Sequence, residues 1–312
     1  MRRAVEAARA NGRYLAAAAL VAGALLALYF VPRETAGPTT TLAALEFLGF
    51  GLGVGAYGTM VGAGGGFLIV PALLLVYHAR PEQAAGTSLA VVCLNALSGT
   101  VSYARQGRVD YRAGLTFAVA TLPGAVIGAF LARLLGGRGF DLVFGALLLV
   151  VAILLIWRPT AEREYADFLV EQAAGGRWAV TRRIVDARGQ AFQYRYHLGL
   201  GFALSVGVGF LSSALGIGGG IIHVPALIHL LGFPAHIATA TSQFILVITA
   251  AVGTGTHLAL GNVLPGPAIL MGIGVVGGAQ IGASLARHLG DSLLVRLLSL
   301  ALLAVAARLL LR

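Results

Sequence analysis

Two glycine runs, each followed further along by Thr-Ser, carry the chemistry of this chain. Gly64-Gly65-Gly66 precedes Thr87-Ser88, and Gly218-Gly219-Gly220 precedes Thr241-Ser242. Hydroxyls can donate to an oxyanion and accept from backbone. Asn95 shares a helix face with Ser88, and Gln243 follows Ser242, so amides join the hydroxyls. A helix that starts after a glycine run points its first free N–H groups and its positive dipole end at the break. Such donors could hold a small anion without a buried cation. The plainer alternatives are close helix packing for the glycines and interhelical hydrogen bonds for the hydroxyls, worth about 0.6 to 2 kcal/mol each.

Ionisable residues within apolar sequence are few: Glu46, His223, His257 and, near the end of a run, His229. His223 lies inside the second glycine stretch. Either His223 or His257 could carry a coupling proton, because histidine titrates near neutral pH, or sit as a neutral hydrogen-bonded group. Glu46 and Arg105 are candidates for coupling or gating, although Glu46 also suits an interface and Arg105 and Arg108 suit orientation signals. No paired carboxylates, metal-ligand spacing or Ser/His/Asp arrangement occurs, so neither catalytic residues nor a metal or cofactor is expected. The glycine runs lack the Gly-Lys-Ser/Thr ending of a phosphate loop.

The surrounding elements must be membrane helices. The 312 residues are 58% hydrophobic and only 11% charged, against roughly 25% charged in soluble domains. Apolar runs long enough to span a bilayer recur along the chain. All 22 basic residues are arginine, giving a net charge of +10. They sit in the gaps between runs, which is the positive-inside pattern rather than a nucleic-acid patch. Without lysine there is no Schiff-base chemistry, and with Cys93 alone there is no intramolecular disulfide.

An offset of 154 residues superimposes the two halves without a gap. Gly64-Gly65-Gly66 falls on Gly218-Gly219-Gly220, Thr87-Ser88 on Thr241-Ser242, Gly99-Thr100 on Gly253-Thr254, and Leu131-Ala132-Arg133 on Leu285-Ala286-Arg287. This is an internal duplication. The expected fold is an all-α polytopic membrane protein of two repeats, each with about five helical elements broken or re-entrant at its glycine run. Residues 1–42 form a cytoplasmic N-terminus and an extra helix, 43–157 the first repeat, 158–196 a hydrophilic cytoplasmic linker, and 197–312 the second repeat. The linker reads as solvated chain, with a short interfacial helix as an option. The gap from Arg105 to Arg112 holds three arginines, whereas its counterpart from Ala259 to Pro267 holds none. The positive-inside rule then predicts inverted repeats.

The paired Gly-Gly-Gly-x-x-x-x-Pro-Ala-Leu stretches, with Pro71 and Pro225, each followed by Thr-Ser, resemble the TauE/SafE family of sulfite exporters. The resemblance covers both repeats. It implies an inner-membrane permease that moves sulfite or an organosulfur anion such as sulfoacetate. It carries site roles onto Gly64, Gly65, Gly66, Pro71, Thr87, Ser88, Gly218, Gly219, Gly220, Pro225, Thr241 and Ser242. The expected partners are that anion and the lipid bilayer, with a homodimer as an open option and no nucleic acid. A transporter or channel for another ion, a membrane scaffold and a membrane enzyme are the competing readings.

Overall fold

The computed structural model describes residues 41–132, 137–157, 178–289 and 291–311. The extra N-terminal helix expected before residue 41, and the linker up to residue 177, lie outside the described residues. The first half contains α1 (Thr41–Met60), α2 (Gly66–Leu75), α3 (Pro81–Arg105), α4 (Tyr111–Leu131) and α5 (Gly137–Trp157). A hairpin of β1 (Ala179–Val185) and β2 (Ala191–His197) follows. The second half contains α6 (Leu198–Leu215), α7 (Gly220–Pro225) with a π-helical turn (Ala226–Leu230), α8 (Ala235–Ala259), α9 (Pro265–Ala286) and α10 (Asp291–Leu310). Six of these helices, α3, α4, α5, α6, α8 and α9, are long and apolar enough to cross a membrane. The fold is that of a polytopic helical membrane protein.

The elements pair in matched fashion. α1 packs along α9 and α6 along α4, while α3 lies on α8 and α5 on α10. The helices approach closely because glycine lines the seams. A Cβ on Gly128 would collide with the Phe210 carbonyl, and one on the equivalent Gly282 with the Ala56 carbonyl. Small residues permit this contact where lipid supplies no hydrophobic drive between helices.

Each glycine run separates two helices whose far ends return to each other. Phe47, early in α1, stacks on Tyr77 beyond α2 at 4.6 Å between ring centroids. At the equivalent positions a Cβ on Gly201, early in α6, would lie 3.1 Å from Leu231 beyond the π-helical turn.

The hairpin is the departure from an all-helical chain. Its strands pair antiparallel from Ala179↔His197 to Val185↔Ala191. The Asp186 carboxylate accepts from the amides of Arg188 and Gln190 at 2.9 and 3.0 Å, and Gly189 takes a left-handed φ of 80°. This closes the turn that a solvated linker would not need. Tyr194 and Tyr196 point inward against Phe233, at 4.4 and 5.1 Å between centroids. Phe117 and Leu227 complete this satellite core, and His197 caps α6 by accepting from the Leu200 amide.

Candidate functional site

Both breaks use the same backbone device. Gly62, Gly64 and Gly65, and their equivalents Gly216, Gly218 and Gly219, all have positive φ between 73° and 87°, a region L-residues with side chains rarely enter. The breaks then meet each other. A Cβ on Gly66 would lie 2.6 Å from the Gly216 carbonyl oxygen, and one on Gly220 would lie 2.5 Å from the Gly62 carbonyl oxygen. Only glycine lets the two backbones approach this closely.

The Thr-Ser pairs hold this crossing together. Ser88 Oγ donates to the Gly216 carbonyl at 2.7 Å, and Ser242 Oγ donates to the Gly62 carbonyl at 3.0 Å. Thr241 Oγ1 accepts from the Asp110 amide at 3.1 Å, and Thr87 Oγ1 accepts from the Leu264 amide at 2.9 Å. Each repeat therefore ties down the break and the connector of the other. A third matched pair was not singled out in the sequence. Tyr103 donates to the Thr59 carbonyl at 2.8 Å, and His257 Nε2 donates to the Ser213 carbonyl at 3.0 Å.

Amides complete the first break. Asn95 Nδ2 donates to the Gly64 carbonyl at 2.9 Å, and its Oδ1 accepts from Thr59 at 3.0 Å. Gln243 Nε2 donates to the Gly58 carbonyl at 3.3 Å. Intrahelical bonding begins only with the amides of Leu68 and Ile69 to Gly65, and of Ile222 and His223 to Gly219. The amides of Gly66 and Phe67, and of Gly220 and Ile221, are thus first-turn donors with no acceptor in their own helix. Between the breaks stand two aliphatic side chains. Val92 from α3 and Leu246 from α8 both reach the Cβ positions of Gly64 and Gly218, at 2.5 to 3.0 Å.

The structure separates the two candidate histidines. His257 is buried with both ring nitrogens engaged, Nε2 donating to Ser213 and Nδ1 accepting from Asn262 Nδ2 at 3.3 Å. These neighbours fix the orientation of the ring. His223 is buried on α7, with Nε2 3.3 Å from Ser205 Oγ. Arg105 is exposed at the end of α3, and Glu46 is half-buried early in α1. Among the described residues no group of three or more His, Cys, Asp or Glu could hold a metal.

A charged network binds the hairpin to the connector between α3 and α4. Asp110 is buried and caps α4 by accepting from the amides of Arg112 and Ala113, both at 3.1 Å. It also accepts from Arg182 through two bonds of 3.0 Å and from the Tyr194 hydroxyl at 2.7 Å. Burial alone would raise its pKa, but the bonds from Arg182 and Tyr194 hold the carboxyl below the usual range. Arg108 pairs with Asp186 at 3.1 Å in the same manner. Asp186 is likewise held low, against burial, by the amides of Gln190 and Arg188 and by Arg108. Burial, aided by the Asp110 charge, pushes Tyr196 up to about 12.

Paired helix breaks, polar side chains bonded across them and a polytopic bundle describe a membrane transporter, and comparison with known proteins agrees. The sulfite exporter TauE/SafE family profile matches residues 47–309. The chain belongs to that family. It is 32% identical over 266 residues to the probable membrane transporter protein YunE of Bacillus subtilis (strain 168), covering 83% of this chain and 94% of that protein. It is 28% identical over 266 residues to the probable membrane transporter protein ORF9 of Sinorhizobium sp, covering 85% and 92%. The probable membrane transporter protein MJ0441 of Methanocaldococcus jannaschii is 25% identical over 261 residues, covering 79% and 87%. No solved structure matches the chain.

Proposed function

We propose that this protein is an inner-membrane permease that exports a small sulfur-containing anion by alternating access. Its substrate is sulfite, sulfoacetate or a related organosulfonate. The anion binds at the glycine breaks near the membrane midplane, where first-turn amides and hydroxyls supply donors. The family supports the substrate class. The single observation that carries the site is the reciprocal crossing, in which each break is held by a serine of the other repeat.

The same contacts support the reading of the repeats as inverted. α1 and α2 return to one face, as the Phe47–Tyr77 stack indicates. α6 and α7 return to the hairpin, where Phe233 meets Tyr194 and Tyr196. α3 runs from the first face to the connector that the hairpin binds. In this reading the two helix-break pairs enter from opposite sides and meet in the middle. Such irregular backbone is tolerated at membrane depth where protein covers it. The arginines of the hairpin and of the Arg105–Arg112 connector share a face, which the positive-inside rule places in the cytoplasm.

The test is flux of sulfite and sulfoacetate in proteoliposomes, with pH and Na⁺ gradients varied separately. Movement of either anion is expected. Absence of flux for both, with transport of an unrelated ion, would reject the reading.

A further inference from the structure

The duplication supplies an internal control for which polar groups the fold itself requires. The interface of α6 with α7 carries Ser205, Val208, Ser212 and His223. At the equivalent positions of α1 and α2 stand Gly51, Val54, Gly58 and Ile69, of which Val54 and Gly58 face Gly65 and Gly51 faces Met271 of α9. The valines match, and each packs on its own glycine: Val54 against Gly65 and Val208 against Gly219. The three polar side chains have no counterpart, so holding a helix against a break does not need them.

These groups also have capacity to spare. Ser212 and its neighbour Ser213 are fully or nearly fully buried, and neither hydroxyl has a hydrogen-bond partner. A buried hydroxyl without a partner costs about 1 to 3 kcal/mol, so its presence needs a reason. Ser212 Oγ lies 3.4 Å from the Cβ position of Gly219, the residue that opens the helical segment Gly220–Leu230. It therefore sits beside the first-turn amides of Gly220 and Ile221. About two turns back along α6, Ser205 Oγ donates to the Gly201 carbonyl at 2.7 Å. Its hydrogen is thereby engaged, so it accepts from His223 Nε2–H. The other ring nitrogen of His223, Nδ1, is then a buried acceptor without a partner.

At the first break, by contrast, the side-chain donors are engaged, while Gln243 Oε1 is a buried acceptor without a partner and the amides of Gly66 and Phe67 have no acceptor in their own helix. Asn95 and Gln243 turn their amide donors onto the carbonyls of Gly64 and Gly58, and Thr59 donates to Asn95.

We infer that the anion is held on one side of the pseudo-symmetric pair only, at the second break. Ser212 Oγ and the amides that open Gly220–Leu230 are its donors, and His223 Nδ1 accepts the hydrogen of an oxyanion that bears one. This deepens the reading of the protein as an anion permease and rests on it.

Binding of sulfite to the purified full-length protein, measured by calorimetry beside flux, tests the assignment. Ser212→Ala is expected to weaken sulfite binding by about tenfold or more, as the loss of a hydrogen bond to a charged group does. Ser212→Gly, which copies Gly58, serves the same purpose if the alanine variant is unstable, and His223→Ile copies Ile69. His223→Ile should weaken sulfite more than methanesulfonate, which carries no acidic hydrogen. Ile69→Val, at the apolar first-break position equivalent to His223, should leave binding within about twofold of wild type, since it removes no polar group. Wild-type binding by both Ser212 variants, or equal losses from Ile69→Val and Ser212→Ala, would overturn the one-sided site. A wild-type protein that neither binds nor moves sulfite or sulfoacetate would overturn the permease reading instead.

Discussion

Ser88 Oγ donates to the Gly216 carbonyl across the interface between the two repeats, at 2.7 Å. Its equivalent, Ser242, returns the bond to Gly62 at 3.0 Å. Both carbonyls belong to left-handed glycines at the ends of broken helices, so the serines replace the N–H donors that a continuous helix would supply to them. Ser88→Ala and Ser242→Ala should each lower stability by about 1 to 2 kcal/mol. Thermal unfolding in detergent reads this. Two variants as stable as wild type would show that the bonds do not hold the crossing.

Bulk at the breaks should abolish transport while leaving insertion intact. A Cβ on Gly65 would strike Val54, and one on Gly219 would lie 3.0 Å from Val208. Both residues also have φ near +87°. Gly65→Leu and Gly219→Leu should reach the membrane in normal amount and show no flux. Full activity in both would remove the breaks from the mechanism.

Val92 and Leu246 fill the space between the breaks. Truncating both to alanine removes the barrier between the two glycine runs at a stability cost of about 2 to 5 kcal/mol. The double variant should leak anions down a gradient faster than wild type in proteoliposomes. Unchanged passive flux would place the barrier elsewhere.

The hairpin gives the protein an acid-labile contact. The carboxyls of Asp110 and Asp186 titrate below their usual range in the folded protein, so the unfolded chain binds more protons in that window. Their contribution is complete above the ordinary aspartate pKa of about 3.9 and is lost as pH falls through the lowered folded values. Asp110→Ala should cost about 3 kcal/mol, at the low end for a buried pair because Arg182 keeps some solvent. Melting curves at falling pH should show a shallower acid slope for this variant. A slope equal to wild type would rule out Asp110 as the titrating group.

Accessibility reporters test the orientation of the repeats. Cysteines placed in the Arg105–Arg112 connector and in the Gly261–Pro267 connector, with Cys93 replaced, should label from opposite sides. Labelling from one side would reject inversion.

Much of this was legible in the residues because the duplication repeats its signals. Glycine triplets in apolar sequence announced the breaks, and Thr87-Ser88 and Thr241-Ser242 recurred at the same offset. What those hydroxyls bond to was not legible, since their carbonyl partners lie in the opposite repeat. The hairpin was missed for a different reason. Phe192, Tyr194 and Tyr196 alternate as a half-buried strand does, and Asp186 with Gly189 marks a turn. Seven arginines between residues 158 and 195 made the segment read as solvated. Ser205 and Ser212 were passed over because serine is ordinary in membrane helices. Only comparison with Gly51 and Gly58 sets them apart.

The hairpin ties one of two equivalent connectors. Arg108 and Asp110 are clamped by Asp186 and Arg182, whereas Asn262 and Leu264 at the matching positions carry no charge for such a clamp. Two identical hinges would leave an inverted duplicate balanced between its two facings. Weighting one hinge by as little as about 1.4 kcal/mol tilts that balance tenfold. In the alternating-access cycle proposed above, such a tether would favour one resting pose over the other.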